Sequence, residues 1–248
     1  AHRRGGDNYT HDHSCWTPRL LLFPSNVFLA VRSTPRNERG PRYCEQVFAN
    51  LHRVPFTLCV TVIRGAASLA ILCQDRFAPA ITHELHAAYP DVLLQREVAA
   101  DTPDLIRWSR RLTLRRHWFS LRIERDFWNE ADRSFTDPVA SLLAAVAPRS
   151  TVPVSLSIRI DAKPVSRFRQ WLFVRRVRRK GGDGDKGLHR LFRCSLRLTA
   201  TAARCDARLA KRRLTEVAAV FEQFTSGTPT EFRRIWFWRP RFLLSDRE

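Results

Sequence analysis

Hydrophobic and polar positions alternate in two successive series along this chain. After a polar, His-rich lead-in over residues 1–18 that reads as disordered, positions 27–33 have strand character and end before Pro35. Tyr43, Val47, Phe48 and Leu51 then recur at helical spacing, which predicts a helix over 38–54. Two β-rich runs follow, 56–63 and 67–73, joined by a turn at Arg64-Gly65. Phe77, Ile81 and Leu85 form the apolar stripe of a second helix over 75–89, with Asp75 as its expected cap and Pro90 as its stop. Positions 91–98 return as a strand. The order β-α-β-β-α-β is that of a ferredoxin-like, split βαβ unit.

The second series repeats the order with longer insertions. A strand is predicted over 112–123, then a helix over 139–146 opened by Asp137 as cap and Pro138 in the first turn. An alternating strand follows at 154–160, a basic helix at 165–180, a Gly-rich linker at 181–187 and a strand at 191–199. A long helix over 203–224 turns Leu209, Leu214, Val217, Phe221 and Phe224 inward, and 235–244 supplies a closing strand. The polar, Pro-containing break near residues 100–110 divides the series. The expected fold class is α+β: two ferredoxin-like sandwiches side by side, one over 19–100 and one over 105–248.

Composition changes this picture in one respect, charge. Lys+Arg total 43 against 24 Asp+Glu, a net charge of +19, and the sequence pI is 11.2. Such a balance favours a polyanionic partner, nucleic acid or an anionic membrane surface. The lysines are few (Lys163, Lys180, Lys186 and Lys211), so arginine carries nearly all of the charge, as a GC-rich coding sequence alone would also produce. Methionine is absent even at position 1, which reads as a piece of a longer polypeptide. No apolar run is long enough for a bilayer span, and the lead-in lacks the apolar core of a signal peptide. The six cysteines, Cys15, Cys44, Cys59, Cys73, Cys194 and Cys205, form no C-x-x-C pair; Cys44, Cys59 and Cys73, in apolar runs, read as small core residues, and the pattern fits a reducing compartment, the cytoplasm.

Motifs with catalytic potential fail on spacing. His83-Glu84-Leu85-His86 places two histidines at i and i+3, whereas the zinc-protease helix needs i and i+4. His11-Asp12-His13-Ser14-Cys15 lies in the lead-in, where no geometry is fixed. Gly181 to Gly187 lacks the Lys-Ser/Thr ending of a phosphate loop, and its two aspartates would repel phosphates. No serine stands in a G-x-S-x-G elbow. The chain is therefore read as non-catalytic, with no cofactor and no metal.

The basic runs are the positive signal. In the segment from Arg167 to Lys180 cations interleave with Phe168, Trp171 and Phe173. Arg167, Arg169, Arg175, Arg176, Arg178, Arg179 and Lys180 are the candidate polyanion-binding residues, able to neutralise phosphates while the aromatics stack on bases. The same composition describes a helix on an anionic membrane or a solvated helix with a buried aromatic side. On that last pattern, Trp171 and Leu172 would face the core.

Several phrases, in order, resemble a known family: Glu45, Phe48, Leu51 and His52 in the first helix, Tyr89-Pro90 after the second, and then "RSFTDPVASLLAAVAP", "FEQFTSGTPTEFRR" and "FLLSDRE". Across residues 19–248 the chain resembles the amino-terminal accessory domain, of unassigned function, that precedes the P-loop motor of TraG-like, HerA/FtsK-superfamily ATPases of bacterial conjugation and type IV secretion. The tail "RRIWFWRPR" departs from that pattern. The resemblance implies a non-catalytic docking or assembly domain of a DNA-translocating ATPase, with the P-loop domain beyond residue 248. Its partners would be other secretion subunits or its own motor domain, through which it would oligomerise, together with DNA and the inner-membrane surface. It carries over no catalytic residue. The rival expectation is a free-standing, basic nucleic-acid-binding protein on a ferredoxin-like scaffold, although "LFRCSLRL" is not an RNA-recognition strand motif.

Overall fold

The computed structural model describes residues 26–32, 42–51, 53–63, 65–97, 105–117, 119–122, 124–129, 134–135, 137–148, 154–182, 186, 189–235 and 242–245. The lead-in 1–18, the break at 98–104, His11 to Cys15, His52 and the acidic part of the Gly-rich linker lie outside them.

The first series folds as β1 (Asn26–Arg32), α1 (Arg42–Asn50), β2 (Phe56–Ile63), β3 (Ala66–Gln74), α2 (Ala78–Ala88) and β4 (Leu93–Glu97). Its strands lie in the order β2-β3-β1-β4, every neighbour antiparallel, which is the ferredoxin-like arrangement. The second series is β5 (Ile106–Arg115), α3 (Pro138–Val146), β8 (Val154–Pro164), α4 (Arg167–Arg179), β9 (Leu191–Ala202), α5 (Ala207–Val220) and β10 (Glu231–Ile235). Its order, β8-β9-β5-β10, is the same one, with α4 inserted in the connection between β8 and β9. A small hairpin, β6 (Trp128–Asn129) with β7 (Ser134–Phe135), precedes α3, and β11 (Phe242–Ser245) pairs with the start of β9.

The two units are fused edge to edge. β2 pairs with β8 antiparallel, from Phe56 opposite Ala162 to Thr61 opposite Ser157, making one sheet in which each unit keeps its own contiguous run of strands. An antiparallel seam relates the units by a local two-fold normal to the sheet, so both place their helices on the same face. α3 accordingly crosses the seam and packs on β2 and β3 as well as on β8. Phe56 marks the joint, stacked on Phe48 of α1 at 5.6 Å and edge-on to Phe192 of β9 at 5.9 Å. A single buried cluster runs through both units, from Leu29, Val47 and Ile81 to Ile158, Leu198 and Val217.

Several expectations need correction. The strand expected at 112–123 is β5, six residues earlier: Ile106, Trp108, Leu112 and Leu114 point to the helices, and Arg110 at an inward position hides the alternation in the sequence. Arg110 is accommodated there by a 3.0 Å hydrogen bond to Thr215 of α5. Asp75 caps no helix. It opens a 3₁₀ turn and pairs with Arg96 at 3.4 Å, while α2 begins after Phe77 with no side-chain cap. The helix expected over 203–224 is α5 between two 3₁₀ turns. Of the closing strand expected at 235–244, residues 236–241 lie outside the described residues; Ile235 ends β10, which pairs with β5, and 242–244 belong to β11, which takes the stretch of the β9 edge that β5 leaves unpaired. Asp137 behaves as read: its carboxylate accepts from Val139 N at 2.8 Å and opens α3.

Candidate nucleic-acid interface

Side chains alternate across a strand, so the register fixes what the face opposite the helices carries. In β5, β9 and β8 that face receives Arg107, Ser109, Arg111 and Arg115, then Arg193, Ser195, Arg197 and Thr199, then Ser157, Arg159, Asp161 and Lys163. Arg111 stands opposite Arg197, and Arg197 opposite Arg159, so three guanidinium side chains lie in one row across three adjacent strands. Directly opposed positions on one face put their Cβ atoms about 5 Å apart, and like charges placed so destabilise a sheet. The row next to it is hydroxylic: Ser109, Thr199, Ser157, Thr61 and Ser68 lie opposite one another across five strands, Thr199 buried, Ser109 exposed and the other three half-buried. Lys163 opposite Arg193 adds a second cationic row.

Among the described strand residues on this face of the second unit, the acids are Asp161 and Glu231. Both oxygens of Asp161 are engaged, by the Thr57 and Ser195 hydroxyls at 2.8 Å each. Glu231 accepts from Arg115 at 3.2 Å and from Arg233, and those arginines, Arg115 first, hold its carboxyl below the usual range. Past the seam the arginine row continues into Cys59, Ala70 and Ala30, all buried, so the positive field belongs to the second unit.

α4 stands on the same side of the sheet. Its buried residues, Phe173 and Val177, pack with Val165, Leu191 and Leu243. Leu191 and Leu243 share the strand face of Arg193, opposite to the main core. His117, just past β5, stacks on Phe173 with ring centroids 6.0 Å apart, and Gln170 donates to the His189 carbonyl at 2.9 Å. Gly181 closes the helix at φ +63°, a backbone region that favours glycine.

All seven candidate residues, Arg167, Arg169, Arg175, Arg176, Arg178, Arg179 and Lys180, lie on or directly after this helix and are exposed. The orientation of the aromatic side is the reverse of the expectation. Trp171 is 54 % exposed and Leu172 44 %, whereas Phe173 and Val177 are 6 % and 1 %. The floor under α4, Leu191 and Leu243, joins it only in three dimensions, which is why helical spacing alone selects the wrong stripe. Sequence pattern also misses Lys186. Composition places it in a linker, yet it is 1 % exposed and its Nζ donates to the Phe119 carbonyl at 3.2 Å, tying the insertion to the turn after β5. The arginine rows escape the sequence for a different reason, since Arg111, Arg159 and Arg197 are far apart in sequence and only register brings them together.

The other motifs resolve locally. His83 and His86 are exposed on α2, and Glu84 accepts from Asn50 Nδ2 at 2.7 Å. No cluster of metal-ligating side chains occurs among the described residues. Cys59, Cys73 and Cys194 are buried and Cys44 half-buried, and burial pushes the thiols of Cys44, Cys59 and Cys73 up to about 11. Among the described residues no helix is long and apolar enough to cross a membrane.

Fold and surface together define a class: an α+β protein of two fused ferredoxin-like units with one cationic sheet face. No protein-family model matches the chain, and no curated protein matches it. Among solved structures it is similar to "Crystal Structure of an Unknown Protein from Galdieria sulphuraria", at 10% identity and a TM-score of 0.25, over 85% of this chain and 96% of that one.

Proposed function

We propose that this chain is a non-catalytic nucleic-acid-binding module whose docking surface is the open sheet face of the second unit. The observation that supports this reading is the Arg111–Arg197–Arg159 row beside a row of hydroxyls. Directly opposed like charges cost the fold stability. A phosphate backbone laid across the row would offset that cost, with the accessible Ser109 and Ser157 hydroxyls donating to phosphate and sugar oxygens. A genome-composition origin accounts for many arginines but not for their alignment in register.

The resemblance to accessory domains of conjugation-type DNA-translocating ATPases supports a setting for the same surface. In that setting the second unit would hold DNA while the first, which carries Phe48, Leu51 and Tyr89-Pro90, would dock to the motor or to another secretion subunit.

The test is a triple substitution, Arg111→Gln, Arg159→Gln and Arg197→Gln. It is expected to leave the fold intact, to weaken binding of labelled oligonucleotides, and to flatten the dependence of log affinity on log salt by roughly 0.7–0.9 for each phosphate no longer neutralised. Unchanged affinity and slope would overturn the reading.

A further inference from the structure

The outer side of α4 carries more than charge. Phe168, Trp171, Leu172, Arg175 and Arg179 follow one another at i, i+3, i+4, i+7 and i+11, forming a stripe on the side of the helix opposite Phe173 and Val177. Phe168 is 67 % exposed, the most exposed large apolar side chain among the described residues. Its ring stacks on Trp171 with centroids 6.1 Å apart and an interplanar angle of 23°. The Arg175 guanidinium lies over the Trp171 ring at 5.7 Å. The stripe thus displays two stacked aromatic rings with a cation against one of them, flanked by Arg167, Arg169, Arg178 and Lys180.

An exposed aromatic stripe in a basic helix has three ordinary explanations: a membrane surface, a protein groove and nucleic-acid bases. Insertion into a bilayer is disfavoured by Arg175 and Arg179, which lie inside the apolar stripe rather than on its flanks and would be carried towards the hydrocarbon with it. A protein groove fitted to the aromatics would have to accept that same strong cation density. Nucleic acid matches both components: an unpaired base has a π-face for the Phe168–Trp171 pair, and its phosphates match the arginines. Duplex DNA keeps its bases stacked inside and can use only the charges.

We infer that α4 is a stacking platform for unpaired nucleotides, so that the module prefers single-stranded to double-stranded nucleic acid. This inference rests on the nucleic-acid-binding reading above and names the substrate class. Phe168 and Trp171 hold the base, while Arg175 fixes the Trp171 ring and faces the adjoining phosphate. α4 stands beside Arg193 and Lys163 on the same side of the sheet, so one strand can run from the platform onto the arginine rows.

The decisive variant is Phe168→Ala with Trp171→Ala in the full chain. Both residues are exposed, and unaltered circular dichroism would certify the fold. Binding is measured by fluorescence anisotropy to an oligothymidylate and to a hairpin duplex, with sedimentation against phosphatidylcholine–phosphatidylserine vesicles alongside. The expected result is about a 10-fold or greater loss of affinity for oligothymidylate, with duplex binding and salt slope unchanged. Equal affinity of variant and wild type for oligothymidylate overturns the platform while leaving the arginine-row reading intact. Wild type that binds neither oligonucleotide overturns both. Vesicle binding abolished by the double substitution, with oligonucleotide binding untouched, would assign the stripe to a membrane instead.

Discussion

The fold resists protonation of His117. It lies against Phe173, and its pKa is lowered first by burial and then by the positive charges of Lys186 and Arg176. Above the unfolded pKa of about 6.5 the imidazole is neutral in both states. Below it the unfolded chain takes up a proton that the folded chain resists, so stability is lost as pH falls from there through the depressed folded pKa. Thermal melts should therefore drop as the pH falls below about 6.5, and His117→Phe, which retains a ring against Phe173, should flatten that dependence. An unaltered pH profile in the variant would remove His117 from the account. Arg213 solves the opposite problem, a buried cation. Its guanidinium donates to Glu216 at 2.6 Å and to the Ala145 carbonyl at 2.9 Å, joining α5 to the end of α3.

At the scale of the element, α4 separates stability from binding. Phe173 and Val177 seat it, Gly181 ends it, and its most exposed positions are cationic or aromatic, with Leu172 beside the rings. The exposed charges contribute little to folding, since solvent screens them. Replacing Arg169, Arg176 and Lys180 with Gln should then change the free energy of unfolding by less than about 1 kcal/mol, read from denaturant melts. The same variant should weaken oligonucleotide and duplex binding alike and reduce the salt slope, because these three residues flank the aromatic stripe and supply charge only. Titration in a salt series checks this, and an unchanged slope would identify this side of α4 as a solvated face. The aromatic double variant should behave in the opposite way, discriminating between strands with no change in slope.

At the scale of the whole molecule, the seam couples two units that each have a complete topology. Phe56 contacts Phe48 of its own unit and Phe192 of the other, and the buried cluster is continuous across β2 and β8. Unfolding should accordingly be one cooperative transition, coincident by tryptophan fluorescence and far-ultraviolet circular dichroism. Phe56→Ala should lower stability by about 3–5 kcal/mol and shift that transition as a unit. Two separated transitions in the wild-type chain would show that the units fold independently despite the shared sheet.

Local pattern alone was enough to place α3 with its Asp137 cap, the strands β2, β3 and β8, the basic helix α4 and the order βαββαβ twice over. These depend on periodicity, capping and turn chemistry, which act within a few residues. The seam, the site of β11, the outward turn of Trp171 and the burial of Lys186 were decided by tertiary structure. Each depends on a partner distant in sequence: β8 for β2, β9 for β11, Leu191 and Leu243 beneath α4, and the Phe119 carbonyl for Lys186. The candidate site divides in the same way. Its arginines on α4 were legible as a run, whereas Arg111, Arg159 and Arg197 became a row only when strand register set three separate segments side by side.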